Sequence, residues 1–317
     1  MFDDHHLWSL SRRTVDDARH LVVFLGASRM ALAYSPRAFA EAAPALRGLQ
    51  LSVSNHLPLG ALADLADDEA FRGVAVLDII EPDVADALFL SDVDAYVEAS
   101  RALWRAPDAL ANRYLASLAQ SQLAVLAVGG RRIVTSLIGR RRWPAPQWVA
   151  IDRQRASHGD YSLATPAQLA ARARRRVEAL PAAPPPSDWL AILARDLEPL
   201  VARIQARDGR VVVVRMPVSG ALAATIDQRY PRARYWDAFT ARTAATTIHF
   251  QDEPAMRALT CPDEMHLDQR DQAAFTRALT EAMRRRGALD GPPTRPVPKV
   301  TCGCGARPPA RRAVRSA

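Results

Sequence analysis

Serine, aspartate and histidine stand in this chain where they can run acyl transfer. Ser28 follows the apolar run Leu21-Val-Val-Phe-Leu25 and the pair Gly26-Ala27. A hydroxyl delivered at such a strand-to-helix turn can attack a carbonyl carbon. The N–H groups that open the helix point outward with its positive end and can stabilise the resulting oxyanion. Near the other end, Asp263 and His266 lie in Cys261-Pro-Asp-Glu-Met-His-Leu-Asp268. A carboxylate so placed can orient an imidazole, which takes the serine proton and returns it to the leaving group. An ordinary histidine pKa near ~6.5 suits that shuttle. Each signal alone has a plainer reading. Ser28 can simply cap a helix, and Asp-x-x-His can be solvent-facing decoration, the start of a helix, or part of a metal site. No second His-rich element accompanies it: His5-His6 sits at the start of the chain, and His56, His158 and His249 are isolated. No metal and no cofactor are expected.

These residues need elements to position them. Leu21–Leu25, Leu49–Val53, Gly73–Ile80, Val211–Val214 and Thr246–Phe250 read as strands. They are short and rich in β-branched residues, and Leu21–Leu25 is continuously apolar up to Gly26, as a strand covered on both faces is. Helical patterns at Pro36–Leu46 and Leu59–Asp68 join the first three strands. Strand-helix-strand alternation predicts an α/β protein with a mainly parallel five-stranded sheet in three layers. Its carboxyl edge is where ligands bind in such sheets. Residues 84–208 read instead as a helical insertion, with helices at Asp92–Arg105, Asp108–Val128, Pro166–Leu180 and Asp188–Ala206. The last helix is expected to start at an Asp268 N-cap and to bury Ala273, Phe275, Leu279 and Met283. The sheet domain with its insertion then spans 20–287, behind an N-terminal segment 1–19. The Pro- and Arg-rich residues 288–317 have little to bury and are expected to be disordered.

Composition excludes several classes. Hydrophobic residues make up 49% and charged residues 24%, enough for a sizeable core. The net charge of +8 does not by itself imply nucleic-acid binding. All 42 basic residues but Lys299 are arginine, and they are scattered in small clusters such as Arg172 with Arg174–Arg176. Such clusters in helical stretches read as solvated faces or as helix ends facing the dipole. Cys261, Cys302 and Cys304 form no zinc knuckle pair. No apolar run reaches the ~18–20 residues of a membrane span. Arg12-Arg13 ahead of Leu21–Leu25 imitates a signal peptide, but Asp16 and Asp17 stand where such a segment is acid-free.

The blocks Phe24-Leu-Gly-Ala-Ser-Arg29, Leu65–Gly73, Arg215-Met-Pro-Val-Ser219 and Cys261–Asp268 together resemble the SGNH/GDSL hydrolase superfamily. They are most similar to its bacterial branch associated with polysaccharide O-acetylation. The resemblance covers residues 20–80 and 208–285. It implies a flavodoxin-like three-layer fold and a Ser28 nucleophile, with His266 as base and Asp263 as its partner. It also implies an oxyanion hole built from a backbone N–H, a glycine of the second block and an asparagine of the third. This chain departs there. Ser52-Val-Ser-Asn-His-Leu-Pro58 leaves Asn55 beside the Ser28 N–H as the remaining side-chain donor, with a plain turn residue as the other reading of Asn55, and Asp78-Ile-Ile-Glu-Pro82 lacks the third-block asparagine.

Arg29 and Arg215 follow strand ends and are candidates to hold an anionic group of the substrate; the plainer reading pairs them with Asp78 or Asp252. Tyr235 and Trp236 either line a sugar-binding face or belong to the core. The implied activity is that of a serine esterase or O-acyltransferase working through an acyl-enzyme on a small-molecule or polysaccharide ester. The alternative is a catalytically weak module of that fold that binds a polysaccharide or a membrane acyltransferase partner. The chain as given reads as cytoplasmic, and as extracytoplasmic if an N-terminal anchor is missing from it.

Overall fold

A computed structural model describes residues 5–15, 19–54, 56–84, 94–103, 107–122, 148–152, 155–181 and 185–289. The strands are β1 (Leu21–Leu25), β2 (Arg47–Gln50), β3 (Val74–Asp78), β4 (Val149–Ile151), β5 (Ser157–Gly159), β6 (Arg210–Arg215) and β7 (Thr246–His249). The helices are α1 (His5–Arg12), α2 (Ser28–Ala33), α3 (Pro36–Ala42), α4 (Leu59–Asp67), α5 (Glu81–Val84), α6 (Asp94–Leu103) and α7 (Pro107–Gln122). They continue as α8 (Pro166–Glu178), α9 (Trp189–Asp196), α10 (Glu198–Gln205), α11 (Gly220–Arg229), α12 (Trp236–Thr240), α13 (Pro254–Arg257) and α14 (Gln272–Arg285).

Five strands form one sheet in the order β2-β1-β3-β6-β7, every pair parallel. This is a three-layer α/β architecture with flavodoxin-like strand order, in which the order reverses between β1 and β3. Every residue of β1 and β3 is buried, because helices cover both faces. α14 packs on α2 and α3, while α4 packs on α10. The expected α/β sheet is therefore present, and all of its strands are parallel.

Several boundaries differ from the sequence reading, each for a local reason. The second strand pairs through Arg47–Gln50, and Leu51 and Val53 continue only as N–H donors to the carbonyls of Phe24 and Gly26. The helix expected over Asp188–Ala206 is two helices, α9 and α10, with Leu197 between them. Pro199 has no N–H to bond the carbonyl of Arg195 and its ring crowds that carbonyl. The last helix starts at Gln272 with Asp271 as N-cap residue. Asp268 instead takes the backbone N–H groups of Tyr161 and Arg270 and the Arg270 guanidinium.

The stretch 84–208 is also less separate than a helical insertion. Trp189, Leu193, Leu197, Val201 and Ile204 join the same hydrophobic core as the sheet, so α9 and α10 belong to the domain's own helical layer. The β4–β5 hairpin is antiparallel and is not helical at all. Ahead of the sheet, α1 packs on α6 and α7 and buries Trp8, whose indole N–H donates to the Leu51 carbonyl at 2.9 Å. Among the described residues, no helix is long and apolar enough to cross a membrane. Cys302, Cys304 and the tail from 290 onward lie outside the described residues, as does the end of the helix expected at Asp108–Val128.

Candidate active site

β1 ends at the carboxyl edge of the sheet and hands the chain to Gly26. A Cβ there would lie 2.6 Å from the Met30 Cβ and 3.0 Å from the Asp78 Cβ. Only glycine lets α2 turn this closely over β3. Ser28 is the first residue of α2, so its own N–H has no acceptor inside the helix. Its Oγ is half-buried and lies 2.7 Å from His266 Nε2.

His266 is held by a loop with its own supports. Glu264 sits in the left-handed region at φ 66°, uncommon for a side chain of this size. Two contacts fix it: its carbonyl accepts from the Ser219 N–H at 3.0 Å, and its carboxylate accepts from the Leu222 N–H at 2.9 Å. That carboxylate fills the space beside Gly220, where a Cβ would come within 2.3 Å of it and φ is +61°. Cys261 donates its N–H to Ser219 Oγ at 2.9 Å, and burial pushes its thiol up to about 12. The loop is thus clamped to the start of α11.

Inside it, Asp263 has no exposed surface. Its Oδ1 accepts from the His266 N–H at 2.8 Å and the Met265 N–H at 3.2 Å. Its Oδ2 lies 3.1 Å from His266 Nδ1. The sequence-predicted Ser28, His266 and Asp263 therefore form one continuous line of contacts, although 238 positions separate serine from histidine. Burial alone would raise the Asp263 carboxyl, but hydrogen bonds and charge from His266 and Arg176 outweigh it and hold the group well below the usual carboxylate range. Burial lowers the His266 imidazole below its ordinary value. Arg176 and Arg29 add to that, while Asp263 opposes it. A neutral, buried imidazole beside a hydroxyl is equipped to accept a proton.

Two arginines of α8 also reach this line. Arg176 Nη1 lies 2.8 Å from Asp263 Oδ1, and its Nη2 lies 2.9 Å from His266 Nδ1. Arg172, one turn earlier, places Nε 3.4 Å from Asp263 Oδ2 and its guanidinium over the Trp148 ring. The sequence reading took this cluster for a solvated face or helix end. The available signal was the i, i+4 spacing of Arg172 and Arg176 in a helix opened by the Thr165–Gln168 capping box, which puts both on one face. Tyr161 and Gln272 were missed too. The Tyr161 hydroxyl is buried, and burial together with the Asp263 charge raises it. Gln272 Nε2 donates to the Leu32 carbonyl at 2.7 Å and also to that of Ser157, tying α14 to α2 and β5.

The expected oxyanion and anion-binding residues fare differently. Asn55 lies outside the described residues. Just before it, Arg155 donates to the carbonyls of Gln50 at 3.0 Å and Ser52 at 2.7 Å, so the hairpin holds the loop that leads to Asn55. Arg29 and Arg215 are corrected: neither is available as an open substrate clamp. Arg29 is 5% exposed, with Nε 3.0 Å from Asp78 Oδ2 and Nη2 2.6 Å from Asp83 Oδ2. The Arg215 Nε lies 2.8 Å from Glu81 Oε2, also buried. Burial between strand ends forces each cation to take a carboxylate, and for Arg29 that is the Asp78 of the plainer reading. Asp252 pairs with Arg232 instead of Arg215. Tyr235 and Trp236 are core residues. Among the described residues, no group of three or more His, Cys, Asp or Glu is placed to hold a metal ion.

No family model matches the chain, and no curated protein or solved structure matches it.

Proposed function

We propose that this protein is a serine-dependent acyl-transfer enzyme acting on an ester, with the chemistry of the SGNH hydrolases that its sequence blocks resemble. The observation that carries the reading is the chain Ser28 Oγ–His266–Asp263, at 2.7 Å and 3.1 Å, at the carboxyl edge beside the strand-order reversal. In the reactive form His266 Nδ1–H donates to Asp263, and Nε2 accepts the Ser28 proton. Ser28 Oγ then bonds to the ester carbonyl carbon, and the oxyanion meets the free N–H of Ser28 at the start of α2. Collapse expels the alcohol, which takes the proton from His266 and leaves an acyl-Ser28. Water, or a sugar hydroxyl, attacks that ester and regenerates the serine. Water makes the protein an esterase; a sugar hydroxyl makes it an O-acyltransferase.

The alternative, a catalytically weak module binding a polysaccharide or an acyltransferase partner, draws support from residues 78–82. Asp78 and Glu81 stand there as buried carboxylates bound to Arg29 and Arg215, and offer no side-chain donor to an oxyanion. Losing one such donor costs about 10²–10³ in rate.

The test is covalent labelling with a fluorophosphonate probe. Wild type is expected to label, and Ser28→Ala and His266→Ala are expected not to. Folded protein that fails to label in every form, including one with Arg176 replaced so that it no longer donates to His266 Nδ1, moves the assignment to the binding module. Hydrolysis of a short-chain aryl ester, with and without an added sugar acceptor, then separates esterase from transferase.

A further inference from the structure

We infer that Arg176 is a positioning residue that sets the tautomer of His266 and holds the serine centre in a resting form until α8 shifts; this rests on the acyl-transfer reading above. The inference starts from a count of protons. His266 Nδ1 has two neighbours within hydrogen-bond distance, Arg176 Nη2 at 2.9 Å and Asp263 Oδ2 at 3.1 Å. A guanidinium stays protonated and only donates, while an ionised carboxylate only accepts. One ring nitrogen cannot serve both. If Nδ1 carries the proton it donates to Asp263, and Nε2 offers its lone pair to the Ser28 hydroxyl. If Nδ1 is bare it accepts from Arg176. The proton then sits on Nε2, which donates to Ser28 Oγ across the same 2.7 Å. The second arrangement contains a serine, a histidine and an aspartate in line but no base.

The arginine contact is the shorter of the two, and its other nitrogen is anchored on Asp263 Oδ1 at 2.8 Å. Arg176 therefore grips the histidine and its aspartate at once. It comes from α8, an element outside the strand ends and the 261–268 loop that build the centre, and α8 packs on α11. The helix also carries Arg172, whose guanidinium lies over Trp148 and is 37% exposed. A small movement of α8 can lift Nη2 off Nδ1 while Nη1 keeps Asp263 in place. The proton then relocates from Nε2 to Nδ1 through solvent, with no net charge change, and the base is made.

The tautomer is read directly by nitrogen-15 NMR of imidazole-labelled full-length protein at neutral pH. Wild type is expected to show His266 mainly with the proton on Nε2. Arg176→Met, which keeps length but cannot donate, is expected to move it to Nδ1. Fluorophosphonate labelling of Ser28 should rise about tenfold or more, the bias that one charge-assisted hydrogen bond exerts. Arg176→Lys, which keeps a cationic donor, should stay with wild type. A wild-type spectrum with the proton on Nδ1 overturns the inference, whatever the variants do. So does a folded Arg176→Met whose tautomer is unchanged or whose labelling falls, the pattern of a residue that only docks α8. If the tautomers behave as stated and no form labels, the tautomer assignment stands and the acyl-transfer reading falls.

Discussion

Replacing Gly26 by alanine separates the geometry of the serine from the stability of the fold. The added Cβ would sit 2.6 Å from the Met30 Cβ, where ordinary contact begins at 3.4 Å. Met30 belongs to α2, so relief requires the helix that begins with Ser28 to retreat by about 0.8 Å, since Asp78 at 3.0 Å blocks the other direction. A misplacement of about 1 Å in a reacting group costs on the order of 10² in rate. Overpacking of this kind also destabilises by about 1–3 kcal/mol. In a domain of this size that lowers Tm by roughly 2–4 °C per kcal/mol. Gly73→Ala is the control. Its Cβ would come within 2.4 Å of the Leu21 carbonyl, at the opposite end of the sheet from Ser28. Both variants should lose stability, but only Gly26→Ala should lose about two orders of magnitude in fluorophosphonate labelling while still folded. Equal labelling of Gly26→Ala and Gly73→Ala would refute the claim that the glycine seats Ser28 for the proposed reaction.

Two further expectations concern charge. In the proposed mechanism His266 serves as base only when neutral, and its pKa is lowered, so labelling should persist below pH 6.5 and fall only at more acid pH; a pH–rate profile with its acid limb at or above 6.5 contradicts this. Arg29→Met strands Asp78, a fully buried carboxylate that burial already pushes up to about 6, and should destabilise by roughly 3–5 kcal/mol near neutral pH. The cost should shrink as the pH falls and Asp78 takes up a proton, because the neutral acid no longer needs its cation. Denaturant melts of both proteins at neutral and mildly acid pH check it, and a pH-independent difference counts against a buried ion pair.

The sequence by itself determined the sheet and the three residues in line. Five short β-branched runs alternating with helical patterns read as strands of a parallel sheet, and Ser28 and the Asp263–His266 pair mark two carboxyl ends of that sheet. Such features are local: strand burial is written in consecutive residues, and the Asp263 carboxylate closes on the N–H groups two and three positions later. Long-range partner choice was not legible. Arg29 and Arg215 look identical in sequence to substrate clamps. Which carboxylate neutralises each depends on β3 lying between β1 and β6, a fact of strand order. Arg172 and Arg176 read as two more solvated arginines until α8 folds onto the 261–268 loop. Whether a cation faces water or a buried carboxylate such as Asp263 is decided by what packs opposite it, and only the tertiary structure supplies that neighbour.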